Sequence, residues 1–496
     1  MPQITFQLRE YQKNIVETAK NKNMLCILPT GLGKTKCAIA LAVERLNKFP
    51  ESQVLMCSPT KPLSNQIKNE FAESTNLEVS EIILLTGMIS PQKRVDLYKK
   101  SKIVVATPQT IAKDLENNRI SLENFSLLVL DEAHRSRMKF ANTLVAKTYM
   151  QQSQYPRILA LTASPGSTKE KINEIKENLF IETIEIRSAE DLDVKNYIQK
   201  KDLQFIEVEL PKEFLEIHAL LSEVYKKRLK QLKGFGLTKP ISIINKKDLL
   251  SFQNYLFLEA KRGNKASYYG VSLTSGAIKL THALELLETQ GLKSFSKFME
   301  KLQNETSKAS ISINKEPQIK KARELLEKLK ENNLDHPKLN KLIEIIKEEL
   351  KNNLNLKIII FANFRDTVKN IVNELKKIPD ASPIELIGQK EGITQKQQLE
   401  TIKLFEEGKY NIICCTSIGE EGISLGQLNI AIFFDQAPSG IRRIQRTGRV
   451  GRLKAGKIIH LITKNTRDQA YYWKSHRDVK KMKNIISGMQ KKLETR

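Results

Sequence analysis

The feature that most constrains this chain is a set of apolar runs too short for buried helices and too continuous for half-exposed strands. Up to about residue 185 they are MLCIL (24–28), VLMCS (54–58), IILLT (82–86), IVVAT (103–107), LLVLD (127–131) and ILALT (158–162). A strand with one wet face alternates apolar and polar residues. A parallel strand has crossover helices on both faces, so it reads as an unbroken apolar run. Helical stretches separate the runs, as right-handed βαβ crossovers require. The same texture returns in KIIIFA (357–362), IELI (384–387), NIICCT (411–416), IAIFFD (430–435) and IIHLIT (458–463). We expect an α/β protein with two doubly wound parallel-sheet domains, at 1–205 and 336–475.

The region between them has a different period. Pro211 suits the first turn of a helix, and Phe214, Ile217, Leu221 and Val224 follow at helical spacing. Leu280, Ala283, Leu284 and Leu287 form an i, i+3, i+4, i+7 stripe, with Gly291 as its stop. Residues 206–335 therefore read as a mainly helical inserted domain. Residues 476–496 read as a basic helix or tail.

A chain of 496 residues is too long for one core. Its net charge of +26 predicts a polyanionic partner, nucleic acid or an anionic membrane surface. No apolar run approaches the roughly 18–20 residues that span a bilayer, so no membrane role is expected. The five cysteines lack metal-ligand spacing and suit a reducing compartment. The start, MPQITFQLREYQ, lacks a basic stretch followed by an apolar core, so no signal peptide is expected there. An intracellular, cytoplasmic location is expected.

The run MLCIL leads into PTGLGKT (29–35) and then a helical stretch. A glycine-rich turn between a strand and a helix N-terminus holds phosphates with backbone N–H groups and the helix dipole. Thr30, Gly31, Leu32 and Gly33 would form the cradle of an ATP site. Lys34 would reach the β- and γ-phosphates, and Thr35 would ligate Mg²⁺. The strict pattern wants glycine at position 28, where this chain has Leu28. Further on, LLVL ends in Asp131-Glu132-Ala133-His134. Carboxylates at the C-terminal end of a strand lie where open α/β sheets bind ligands. Asp131 would hold Mg²⁺ and Glu132 would deprotonate the attacking water. Hydrolysis also needs positive charge on the γ-phosphate. The arginine-rich IRRIQRTGRVGR (441–452), in the second α/β domain, would bring it across a cleft.

These motifs, in this order, resemble those of superfamily 2 helicases of the DEAH/DExH kind. They are Gln12 in LREYQ, PTGLGKT (29–35), SPTKPLSNQ (58–66), LTG (85–87), ATPQT (106–110), DEAH (131–134), LTASPGS (161–167), FANFRDT (361–367), CTSIGEEGIS (415–424) and QRTGRVGR (445–452). The position of the insert and the pieces HALELLETQG, LDHPKL and TRDQAYYW are similar to the archaeal Hef helicases. Those are relatives of Fanconi anaemia M-type translocases and, more distantly, of RIG-I-like sensors. The resemblance implies RecA-like motor domains. It implies that Gln12, with Arg9 nearby, reads adenine. It implies that His134, Thr162 and Ser164 couple ATP to nucleic acid, and that Gln445, Arg449 and Arg452 face the γ-phosphate. Thr60, Lys61, Thr86, Gly87, Thr107, Gln389 and Thr416 would lie along one nucleic-acid strand. Ser424 departs from the pattern, which usually has Asp there.

Within VYKKRLKQLK (224–233), Lys226, Lys230 and Lys233 share a helix face. That face suits a duplex backbone and a solvated surface equally. The expected activity is that of an ATP-dependent 3′→5′ DNA helicase or translocase acting on forks and Holliday junctions. An RNA-directed ATPase and a non-hydrolysing nucleic-acid clamp are the alternatives. The expected partners are branched or single-stranded DNA and other repair or fork proteins, with the chain itself a monomer.

Overall fold

The computed structural model describes residues 1–494 apart from 138–139, 167, 189–190, 196, 198–201, 333, 389–393, 417–427 and 437–455. The first α/β unit holds seven strands. They are β1 (Met24–Ile27), β2 (Gln53–Cys57), β3 (Ile82–Leu85), β4 (Ile103–Ala106), β5 (Phe125–Leu130), β6 (Ile158–Thr162) and β7 (Thr183–Ile186). Their order is β3-β4-β2-β5-β6-β1-β7, all parallel. Alternate residues of one strand enter different cores. Leu25 and Ile27 pack on one face with Leu55, Cys57, Val104 and Leu128. Met24, Cys26 and Leu28 pack on the other with Val54, Met56, Val105 and Leu127. Burial on both faces is why these runs do not alternate. β7 is the exception. It lies at the sheet edge, its burial alternates, and no apolar run marks it.

The second unit contains β8 (Asp202–Val208), β9 (Ile358–Phe361), β10 (Pro383–Leu386), β11 (Ile412–Cys415), β12 (Ile430–Phe433) and β13 (Lys457–Thr463). The order is β10-β11-β9-β12-β13-β8, again parallel. β8 corrects an expected boundary. The division at 205/206 cuts this strand, which pairs with β13 along Asp202–Val208. β8 is largely exposed, and Asp202, Gln204 and Glu207 interrupt its apolar residues, so it carries no apolar run. The chain thus enters the second sheet before it enters the insert.

The insert consists of helices Lys212–Lys233, Lys246–Lys261, Ser267–Thr289, Leu292–Asn304, Lys308–Asn314 and Pro317–Glu331. The two stripes read from the sequence meet in one core. Phe214, Ile217, Leu221 and Val224 pack with Leu280, Ala283, Leu284 and Leu287. Gly291 follows at φ +110°, a conformation that favours glycine. Helix Pro337–Asn352 then returns to the second sheet.

The last helix, Arg467–Glu494, begins beside β13 and runs on past the expected boundary at 475/476. Near its start Tyr472 packs edge-on to Phe205 and His460. Further along, Met482 is buried in the core of the first unit, with Ile485 and Met489 packed beside it. One helix therefore spans both α/β units.

Under the start of this helix lies a buried ion pair. Lys338 and Asp468 are both closed to solvent and joined by a salt bridge. Asp468 also accepts from the Gln436 and Thr463 backbone N–H groups, each at 3.0 Å. Removing one partner strands a desolvated charge. Lys338→Met should lower unfolding free energy by about 3–5 kcal/mol in denaturant titrations. Lys338→Met with Asp468→Leu should lose less than the sum of the single changes. Additive losses would show the pair to be uncoupled.

Candidate ATP site and nucleic-acid edge

The parallel sheet brings the candidate residues to one edge. β1 is followed by Leu28, whose N–H donates to Thr162 O at 3.0 Å. Leu28, the residue after β1, is therefore held in sheet-like pairing and fully buried, which accounts for an apolar residue at the glycine position of the longer pattern. The turn starts one residue later and uses positive φ at Gly31 (87°) and Gly33 (77°). Gly33 has a second constraint: a Cβ there would sit 2.6 Å from Gln12 Nε2. Helix Lys34–Lys48 starts next, so its free N–H groups open onto the loop. Thr35 stands in its first turn. Lys34 Nζ donates to Leu28 O at 3.3 Å, folded back across the loop.

A second segment braces the loop. Gln12 Nε2 and Tyr11 Oη both donate to Leu32 O, at 3.1 and 2.8 Å. Gln12 Oε1 accepts from Arg9 N–H at 3.0 Å. Gln12 thus spends one donor and one acceptor on the protein, and its amide retains one more N–H and a lone pair for a base. The Arg9 guanidinium stacks over the Tyr197 ring, 4.3 Å from its centroid. Sequence reasoning missed Tyr11 and Tyr197. Tyr11 stands next to Gln12 and reads as an ordinary core residue. Tyr197 lies far along the chain and carries no motif.

Asp131 follows β5 and its N–H donates to Cys57 O at 2.9 Å, extending the sheet by one bond. Glu132 then takes a left-handed conformation, φ 51°, unusual for a side-chain-bearing residue. Burial, then the adjacent Glu132 carboxylate, push the Asp131 carboxyl up to about 7, against the opposing pull of Lys34. A site so short of positive charge fits a divalent cation, which would reverse that shift. Among the described residues no group of three His, Cys, Asp or Glu could hold a metal alone. An ion on Asp131 and Thr35 would take phosphate oxygens and water as its other ligands.

His134 joins this site to the next strand. Its Nδ1 lies 3.3 Å from Glu132 Oε2 and 3.3 Å from Thr162 Oγ1. Thr162 Oγ1 in turn accepts from Ser164 N–H at 3.1 Å. The three residues expected to couple the two activities are thus in contact, with Ser164 linked through its backbone. Arg137, not singled out from the sequence, donates to Pro165 O at 3.4 Å and packs under Gly166.

Residues expected along nucleic acid lie on the other half of the same edge, after β2, β3 and β4. Thr60 precedes helix Lys61–Ser74, and Thr107 precedes helix Pro108–Glu116 with its hydroxyl 2.9 Å from Thr110 Oγ1. Thr86 Oγ1 accepts from Met88 N–H at 3.4 Å, and nothing would obstruct a Cβ at Gly87. In the second unit Thr416 follows β11, its N–H donating to Leu386 O at 3.3 Å. Gln389, Ser424, Gln445, Arg449 and Arg452 lie outside the described residues. In the insert Lys226, Lys230 and Lys233 are exposed on one helix. Their neighbours are engaged: Lys227 pairs with Glu316 at 2.8 Å, and Arg228 is buried against Gly276.

Two parallel α/β units, one with a phosphate loop facing paired carboxylates, together with a helical insert, define an ATP-driven helicase motor. Family models agree: DEAD/DEAH box helicase matches residues 9–172 and Helicase conserved C-terminal domain matches 337–454. Between them, a helical-bundle model of a putative ATP-dependent RNA helicase matches 213–333. The crystal structure of the Pyrococcus furiosus Hef helicase domain shares 42% identity at a TM-score of 0.73. That similarity covers 94% of this chain and 97% of that one. The chain belongs to the Hef family of superfamily 2 helicases, which are ATP-hydrolysing enzymes. Putative ATP-dependent RNA helicase MJ1505 of Methanocaldococcus jannaschii is 40% identical over 98% of this chain and 61% of its own length. ATP-dependent DNA helicase fml1 of Schizosaccharomyces pombe is 31% identical over 98% and 60%. The chain therefore spans less than two thirds of either relative. No described helix is long and apolar enough to cross a membrane.

Lys34→Ala should abolish ATP turnover and weaken nucleotide binding. Glu132→Gln should retain ATP binding and stop hydrolysis, since it removes a base while leaving Asp131 and Lys34 in place. Nucleotide titrations alongside phosphate-release assays separate the two. A Glu132→Gln variant with near-parental turnover would remove Glu132 from the role of base.

Proposed function

We propose that this chain is an ATP-dependent DNA translocase that moves 3′→5′ and remodels branched DNA such as forks and Holliday junctions. The observation that carries this reading is the contact of His134 with both Glu132 and Thr162, at the centre of a sheet edge shared by the ATP residues and the strand-binding residues. A change at the γ-phosphate reaches Glu132, passes to His134 and Thr162, and so reaches the loop carrying Ser164.

Lys34 binds the β- and γ-phosphates, the loop N–H groups cradle them, and Gln12 and Arg9 hold the base. Thr35 and Asp131 are the residues that would hold Mg²⁺, which offsets phosphate charge. Glu132 orients the attacking water and takes its proton. Arg449 and Arg452, with Gln445, bring positive charge from the second unit, so hydrolysis requires the cleft to close. Thr60, Lys61, Thr86, Gly87, Thr107, Gln389 and Thr416 are small or polar groups suited to phosphate contact without base reading. Such contacts do not distinguish branches, and the basic face of the insert is left to meet the second arm. DNA as the substrate is supported by relatives bearing the name ATP-dependent DNA helicase. The RNA-directed reading draws on the name of the M. jannaschii relative. ATPase assays with fork DNA, linear duplex DNA and duplex RNA as separate activators decide between them. Stimulation by RNA alone would overturn the DNA reading. The motor acts as a monomer with other fork or repair proteins as partners.

Arg449→Ala and Arg452→Ala should slow hydrolysis by up to about 10³-fold, with fork affinity in the absence of nucleotide nearly unchanged. Loss of fork affinity with turnover retained would assign these arginines to nucleic acid instead.

Replacing Lys226, Lys230 and Lys233 with Ala should weaken fork binding. It should also flatten the salt dependence by up to about 0.9 log unit of slope for each phosphate that the variant no longer neutralises. Single-strand-stimulated ATPase should persist. Salt titrations on fork and single-strand DNA check this, and an unchanged fork slope would make the lysines a solvated face.

A further inference from the structure

The insert meets the second unit through a chain of buried polar groups. Helix Ser267–Thr289 ends in Glu288 and Thr289 and is capped by Gln290, each almost completely buried. The Gln290 side-chain amide donates to Asp435 Oδ2 at 2.8 Å and to Thr289 Oγ1 at 2.8 Å. Its Oε1 accepts from Thr367 Oγ1 at 2.8 Å. Asp435 Oδ2 also accepts from Asn363 N–H at 2.7 Å. The next residue, Gln436, donates its N–H to Asp468, the buried partner of Lys338. Gln436 Nε2 donates to Leu461 O at 3.1 Å, and its Oε1 lies 2.9 Å from His460 Nδ1. Glu288 supports the insert side. Its carboxylate accepts from Arg467 N–H at 2.8 Å and its carbonyl from His336 Nε2 at 3.1 Å.

Two physical points give this network consequences. Asp435 and Gln436 follow β12 and lead into the segment containing Arg449 and Arg452. Buried carboxylates without solvent depend on their protein donors, so the Asp435 carboxylate follows whatever holds it. Asn363 belongs to the second unit, whereas Gln290 belongs to the insert. Gln290 is therefore a side chain through which movement of the insert reaches the end of β12.

We propose that Gln290 is a positioning residue for ATP hydrolysis, transmitting the seat of the helical insert to Asp435 and so to the start of the arginine-bearing segment. This rests on the reading above that those arginines serve ATP. Contact of the insert with nucleic acid then alters hydrolysis through Asp435 as well as through the first sheet.

The test uses the full chain with synthetic fork DNA. Gln290→Met removes the donor at similar volume, and Gln290→Glu sets a carboxylate against Asp435. Both should lower fork-stimulated kcat by about 2- to 30-fold, the span for residues between coupled sites. KM for ATP, ATP-binding stoichiometry and fork affinity should stay near parental values, so the loss is not a loss of active molecules. Gln290→Glu with Asp435→Asn reverses the polarity of the pair but leaves the Asn363 N–H without its Oδ2 acceptor, so turnover should recover in part. Thr367→Val, a milder change that frees one side of the Gln290 amide, should give a smaller loss in the same direction. Parental kcat in the Gln290 variants overturns this inference. So does a loss that the double variant fails to recover and that tracks a fall in binding stoichiometry and melting temperature, since that is a structural defect. A parent chain whose ATPase no nucleic acid stimulates would instead overturn the motor reading beneath it.

Discussion

Every strand in both sheets runs the same way, so each sheet has one edge where all its strand-to-helix turns emerge. Parallel pairing requires a crossover after each strand, and crossover helices cover both faces. The faces are consequently closed to ligands, and chemistry is confined to the edge. In the first sheet that edge collects the phosphate loop after β1, the carboxylates after β5 and Thr162 at the end of β6. The loops carrying Thr60, Thr86 and Thr107 lie on the same edge, after β2, β3 and β4. Because β2 and β5 are neighbours, the two sets of loops share a border. A motor needs that adjacency, since a change on one side must be felt on the other.

The same geometry has an electrostatic cost. Asp131 and Glu132 share a poorly solvated spot with Lys34 as the cation opposing their charge, and the Asp131 carboxyl is raised accordingly. A site in this condition is poised for positive charge, which the proposed metal and arginines would supply. The insert is held by a different kind of polar group. Gln290, buried, donates to Asp435 and accepts from Thr367, and these directional bonds act beside the apolar contact of Phe364 with the insert core. Directional contacts define a seat more sharply than apolar packing does.

Much of the fold was legible because continuous apolar runs have few alternatives. Most of the runs read from the sequence lie on central strands buried on both faces, edge strands β3 and β10 were legible because they stay largely apolar, and the helical stripes at 214–224 and 280–287 meet in a single core. The strands that escaped notice, β7 and β8, are edge strands. An edge strand buries only part of its surface, so its pattern thins to TIEI or to DLQFIEV, which resemble loop. The 205/206 boundary failed for that reason, and no local signal shows that β8 pairs with a strand some 250 residues away. In the basic run at 224–233, composition could not separate exposed Lys226, Lys230 and Lys233 from paired Lys227 and buried Arg228.

The sequence by itself determined the phosphate loop, the DEAH carboxylates, the two parallel sheets and the membership of the helicase class. These are local signals: spacing, turn chemistry and runs of like residues, each written over a few consecutive positions. The tertiary structure decided what depends on residues distant in the chain. It set the bracing of Leu32 by Tyr11 and Gln12, the stacking of Arg9 on Tyr197, and the contact of His134 with Thr162. It also decided the seat of the insert on Asp435 and the reach of the last helix into the first core. A buried glutamine or tyrosine looks the same in sequence wherever its partner lies. Only folding brings its donors and acceptors together, and the desolvation cost of an unmet polar group then makes that one partnership binding.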